Sequence, residues 1–181
     1  SELDVVVREI GAGLIALGVE PEDRVAIASG TRYEWALADL AVMVAGGATT
    51  TIYPTTMADD VAFILSDSGT KIVFAENSEQ LEKLRGIRAS TPAVTRVIVF
   101  DGEPDDSDAW TLNLEEVRQL GREYLAGDPG AIDARIDGIQ HDQLATIIYT
   151  SGTTGRPKGV RLRHSAWTYE GAAVASTNIL N

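Results

Sequence analysis

Cysteine is absent from the 181 residues. Its absence excludes disulfides, thiolate zinc sites and a cysteine nucleophile within them. Histidine is scarce. His141 and His164 are the two present, too few to build a histidine metal cluster. Long apolar runs are missing as well. The best candidate, Trp35 to Ala45, carries Asp39 in its middle, so no transmembrane helix is expected. Ser1-Glu2-Leu3-Asp4 shows no basic segment ahead of an apolar one, and no secretory leader is read there. Positive charge is in deficit: 15 basic side chains face 27 acidic ones, for a net charge of −12. A chain this acidic is a poor partner for nucleic acid or for an anionic membrane surface. A cytoplasmic location is expected, with peripheral membrane association as the alternative.

What is present reads as one globular unit. Hydrophobic residues make up 44%, enough at this length to bury a sizeable core. The charge is uneven. Residues 144–181 hold Arg156, Lys158, Arg161 and Arg163 against Glu170 alone, net +3. If the protein handles an anion, this segment is where it is expected.

Apolar periodicity alternates between helix and strand along the chain. Ser1-x-x-Asp4, Thr31-x-x-Glu34 and Thr56-x-x-Asp59 read as capping boxes opening three helices. The first is expected to stop at Gly18, the second near Gly46 and the third near Gly69. Further helices are predicted over residues 79–85, 114–125 and 165–180. Short β-branched or apolar runs at 24–28, 49–53, 71–75, 96–100 and 145–149 read as strands, with 160–163 as a further candidate. Residues 101–108, with five acids, read as a solvated loop, and 127–140 as a connection. The alternation predicts an α/β fold, a largely parallel sheet with helices on both faces. Gly11-x-Gly13-x-x-Ala16 fits a loose dinucleotide fingerprint but lies inside a helix pattern, so the glycines read as packing residues.

The dense signal is Tyr149-Thr150-Ser151-Gly152-Thr153-Thr154-Gly155-Arg156-Pro157-Lys158-Gly159-Val160. A buried strand delivers the chain to the end of a parallel sheet, where ligands of such sheets bind. Hydroxyls then stand at 150, 151, 153 and 154, and glycines at 152, 155 and 159. Glycine lets the backbone come close to a ligand. Successive N–H groups in such a loop form an anion nest. Hydroxyls donate to phosphate oxygens, and Lys158 adds a point charge. The common nucleotide loop requires Gly-Lys-Ser/Thr. Here Gly159 follows Lys158 and no Gly-Lys pair occurs, which disfavours kinase or GTPase chemistry of that type.

These twelve residues resemble the phosphate-binding loop of the adenylate-forming (AMP-binding) enzymes, which include acyl-CoA synthetases, aryl-CoA ligases, luciferases and peptide adenylation domains. The run Gly18-Val19-Glu20-Pro21-Glu22-Asp23-Arg24-Val25-Ala26-Ile27 is similar to the family's early segment. Glu34-Trp35 and Ala45-Gly46-Gly47-Ala48 resemble its next helix and turn. Ile52-Tyr53-Pro54-Thr55 resembles the long-chain fatty acyl-CoA ligases, and Ser151-Gly152-Thr153-Thr154-Gly155-Arg156-Pro157 departs from the Ser-Gly-Ser-Thr-Arg-Thr-Pro usual in fatty acyl-AMP ligases, which favours CoA ligation of a fatty acid.

The resemblance implies two half-reactions. A carboxylate attacks the α-phosphorus of ATP to give an acyl-adenylate and pyrophosphate, and the CoA thiol then displaces AMP. It implies that Thr150, Ser151, Gly152, Thr153, Thr154, Gly155 and Lys158 hold the polyphosphate, with Thr150 the candidate to touch Mg²⁺. Fatty acid, ATP and CoA are the implied partners. Rival substrates are an aryl or an amino acid, and the rival class is a non-catalytic nucleotide-binding module. The family's later motifs, which supply a Mg²⁺ glutamate, a ribose-binding aspartate and a C-terminal lysine, are not found in these residues. The chain is therefore expected to be an incomplete N-terminal AMP-binding domain, 1–181, without the small C-terminal domain. It is expected to be inactive alone and prone to self-association through uncovered surface. His164 reads as a hydrogen-bonded residue shaping the loop exit, with acid–base catalysis as the alternative. Tyr53 and Trp167 read as core or interface.

Overall fold

The structure, a computed structural model, describes residues 2–102, 104, 109–150 and 156–177. Helices α1 (Glu2–Ala16), α2 (Tyr33–Val44), α3 (Ala58–Ser68), α4 (Ser78–Ile87), α5 (Leu114–Gly127), α6 (Ala131–Gly138) and α7 (His164–Ser176) are interleaved with seven strands. The strands are β1 (Arg24–Ala28), β2 (Ala48–Ile52), β3 (Thr70–Asn77), β4 (Arg96–Asp101), β5 (Thr111–Asn113), β6 (Leu144–Thr150) and β7 (Lys158–Arg163). They form one sheet in the order β5-β4-β3-β1-β2-β6-β7. Every pairing is parallel except that of β6 with β7. The expected α/β architecture, with helices on both faces, is what forms.

The two-residue period of a strand sorts its side chains between the faces. Val25 and Ile27 join Ile72, Phe74 and Ile98 in a core with residues of α1, α2 and α5. Ala26, Ala28, Val73, Ala75, Val97 and Val99 pack on the other face with residues of α3 and α4. Burial on both sides is why these strands read as unbroken apolar runs.

Helices α1 and α5 meet almost backbone to backbone. A Cβ on Gly13 would stand 2.2 Å from the Val117 carbonyl oxygen, and one on Gly121 1.8 Å from that of Glu9. The packing reading of the α1 glycines therefore holds. Arg118 and Arg122 close the seam onto Glu9 at 2.8 and 3.3 Å. Gly18 ends α1 as expected, at φ 90°, where its N–H reaches the Ile15 carbonyl at 2.9 Å.

The caps depart from the sequence pattern. Arg32 and Met57 occupy the N-cap positions of α2 and α3, with no side-chain cap bond at either. Each helix starts one residue later than its box requires. Glu34 then falls at the second helical position and pairs with Arg32 instead, while Asp59 stays exposed. Ser1 lies outside the described residues. A capping box does form at Asn113 and Glu116, and Asn77 caps α4 through the Glu79 and Gln80 N–H groups. The connection at 127–140 contains α6, which Ile132 anchors in the core. Of the acidic segment at 101–108, Asp101 ends β4 and pairs with Arg32, while residues 103 and 105–108 lie outside the description.

The loops leaving β1 and β2 run to helices on opposite faces. At the carboxyl ends of β2 and β6 a cleft opens, lined by Thr51, Ile52, Tyr53 and Tyr149, and ligands of such sheets bind at this edge.

Candidate functional site

Strand β6 ends at Thr150, at the carboxyl edge of the sheet. Lys158 is the first residue of β7, directly paired with Thr150 across the hairpin. Paired residues of antiparallel strands have Cα atoms roughly 5 Å apart. An exposed hydroxyl and an exposed ammonium thus stand side by side at this edge. Lys158 was expected within the loop; the structure makes it part of the stem. Ser151, Gly152, Thr153, Thr154 and Gly155 lie outside the described residues.

The stem has its own supports. The Tyr149 hydroxyl donates to Asp67 Oδ2 at 2.6 Å. Burial, and then the Asp67 carboxylate, push the Tyr149 hydroxyl well above the usual phenol range, so it stays protonated and donating. Gly159 is the cross-strand partner of Tyr149. A Cβ there would lie 3.0 Å from both the Tyr149 ring and Ile147 Cγ2, so a bare backbone lets the ring lie across β7. Beyond the loop, the Arg156 guanidinium sits over the Phe63 ring, 5.1 Å from its centroid. Next to the stem, Ile52, Tyr53, Met57, Ile64, Tyr149 and Pro157 line a cleft of ≈ 290 Å³.

The four clustered cations do not act as one patch. Strand alternation places Arg161 and Arg163 together in a cleft with Glu22 and Asp142, toward the amino edge of the sheet. Arg156 and Lys158 remain by the loop. The sequence cluster therefore splits because β7 is a strand running away from the site.

His164 opens α7 beyond the far end of β7. Six strand residues separate it from the loop, roughly 17–20 Å. It neither shapes the loop exit nor sits at the candidate site. Its N–H bonds the Gln143 carbonyl at 3.0 Å, and burial holds its imidazole below the usual histidine pKa. Tyr53 and Trp167 are not core among the described residues, at 74% and 46% exposed. The Trp167 indole N–H reaches the Thr146 hydroxyl at 3.2 Å.

Among the described residues no group of three His, Cys, Asp or Glu side chains is placed to hold a metal ion. No described helix is long and apolar enough to cross a membrane. Sequence reasoning missed Asp67 and Phe63. They lie in an unremarkable helix more than 80 positions before the loop, and the chain pattern alone carries no signal that α3 meets it.

The chain resembles known proteins in sequence and in fold. The model of the AMP-binding enzyme family matches residues 1–180. The chain belongs to that family. It is 37% identical over 164 residues to the long-chain-fatty-acid–CoA ligase FadD15 of Mycobacterium bovis, covering 91% of this chain and 26% of that protein. It is 32% identical over 166 residues to the long-chain-fatty-acid–CoA ligase ACSBG1 of Rattus norvegicus, covering 91% and 23%. Among solved structures, the acetoacetyl-CoA synthetase of Streptomyces lividans superposes with a TM-score of 0.75 at 22% identity, over 93% of this chain and 26% of that one. The chain spans about a quarter of the length of these relatives.

Proposed function

We propose that this chain is the N-terminal part of the AMP-binding domain of an ATP-dependent long-chain fatty acid–CoA ligase, and that the loop at 149–160 holds the polyphosphate of ATP. The carrying observation is the pairing of Thr150 with Lys158 at the carboxyl edge of the sheet. The two relatives above, both long-chain-fatty-acid–CoA ligases, support the choice of substrate.

The chemistry asks for fixed positive charge and donors where negative charge gathers. As the fatty carboxylate attacks the α-phosphorus, the pyrophosphate leaves with the bonding pair. The Lys158 ammonium, the hydroxyls of Thr150, Ser151, Thr153 and Thr154, and the N–H groups at Gly152 and Gly155 stabilise that charge. CoA then attacks the acyl-adenylate carbonyl through its thiol and releases AMP. Magnesium suits a substrate-borne role. It usually binds through substrate phosphates and one or two protein oxygens, and the described residues offer Thr150 but no carboxylate cluster. The ion would supply charge neutralisation on the polyphosphate.

The test is pyrophosphate release by the full-length protein across fatty, aryl and amino acids. Release with long-chain fatty acids, followed by acyl-CoA formation, is expected. Release with only aryl or amino acids overturns the substrate assignment. No release with any acid, despite tight MgATP binding, favours a nucleotide-binding module.

A further inference from the structure

We propose that Phe63 and Asp67 of α3 are positioning residues for Thr150 and Lys158, gripping the stems that carry them at Tyr149 and Arg156. The inference rests on the loop reading above and deepens it. Phe63 and Asp67 are four residues apart, so they share one face of α3. Asp67 accepts the Tyr149 hydroxyl at 2.6 Å, and Tyr149 directly precedes Thr150. Phe63 carries the Arg156 guanidinium at 5.1 Å, two residues before Lys158. The Tyr149 ring also lies against Gly159, so holding Tyr149 holds both stems.

Helix α3 is itself fixed, because Val61, Ile64 and Leu65 are buried in the core. A line of contacts therefore runs from the core through α3 to Tyr149 and Arg156, beside Thr150 and Lys158. Such a line matters because donors stabilise a transition state only when already in place. A shift of about 1 Å can cost about a hundredfold in rate. Neither Phe63 nor Asp67 belongs to the loop, so their effect is on its placement.

The test uses the full-length ligase with Tyr149→Phe, Asp67→Ala, Asp67→Asn and Phe63→Leu. Two half-reactions are measured separately: MgATP-dependent pyrophosphate exchange, and thioester formation from supplied acyl-adenylate and CoA. Pyrophosphate exchange is expected to fall roughly three- to thirtyfold in Tyr149→Phe and Asp67→Ala, with thioester formation within about twofold. Asp67→Asn, which keeps an acceptor oxygen, should retain more activity than Asp67→Ala. Tyr149→Phe with Asp67→Ala should be no worse than either alone.

Additive losses, or equal decline of both half-reactions together with melting temperature, would overturn the proposal. Lys158→Ala separates the two levels. Intact exchange in Lys158→Ala sinks the loop reading itself. Lost exchange there, with Tyr149→Phe and Asp67→Ala at the unaltered rate, sinks only the positioning role.

Discussion

The two ends of the sheet are built differently. From β5 to β1, helices cover both faces, and Phe74, Val73 and Ile98 are fully buried. At the β6–β7 end, Ile148, Val160 and Trp167 stand 38%, 47% and 46% exposed, and α7 buries no residue. The cations differ in the same way. Arg8, Arg32, Lys71, Arg118 and Arg135 are held in ion pairs. Lys158, Arg161 and Arg163 make none among the described residues. The contrast separates two tasks. The covered end holds the fold, and the bare margin, beside α3, is where we propose the chemistry takes place.

The comparison breaks first if the covered end is not where stability resides. Phe74→Ala should cost about 3–5 kcal/mol, while Trp167→Ala should cost below about 1 kcal/mol. Urea melts of both variants, at matched slope, measure this directly. Equal losses would erase the distinction. Next in size is Gly121→Ala, whose Cβ would meet the Glu9 carbonyl. Forcing α5 off α1 should cost about 3 kcal/mol, seen as a drop in melting temperature of roughly 6–12 °C.

A smaller, pH-dependent effect sits at Asp39 on α2. Burial pushes its carboxyl above the usual carboxylate range. A group with a raised folded pKa contributes stability below its unfolded value and loses it as pH rises through the folded one. Above the unfolded carboxylate pKa the buried acid is therefore a liability. Asp39→Asn should raise the melting temperature by about 2 °C there, and the gain should vanish below about pH 4. A gain that persists in acid would contradict the burial argument. The smallest effect concerns the bare margin itself. Val160→Lys should reduce self-association in gel filtration across a concentration series and leave the melting temperature within about 1 °C.

Most of the covered end was legible because burial on both faces writes itself as short apolar runs. Residues 24–28 and 96–100 are such runs, and they became β1 and β4 nearly to the residue. The misses have local causes. Helix α6 hides behind Gly127, Asp128, Pro129 and Gly130, with Ile132 its one deep anchor. The three-residue β5 is too short for a period. The boxes at Thr31 and Thr56 fail by one residue, because a cap depends on where the backbone turns and not on spacing alone. At the site, the motif located Thr150 and Lys158, but strand alternation, not visible in a charge count, carried Arg161 and Arg163 away. Asp67 and Phe63 were invisible because tertiary packing alone brings α3 to the loop.

We propose that the Thr150–Lys158 stem serves chemistry and not folding. Lys158→Ala in the full-length protein tests it, with pyrophosphate exchange and melting temperature read on the same sample. A fall in exchange of about a hundredfold, with melting within about 1 °C of the unaltered protein, is the predicted result. Unchanged exchange would contradict it, as would a loss of exchange that merely follows a loss of stability.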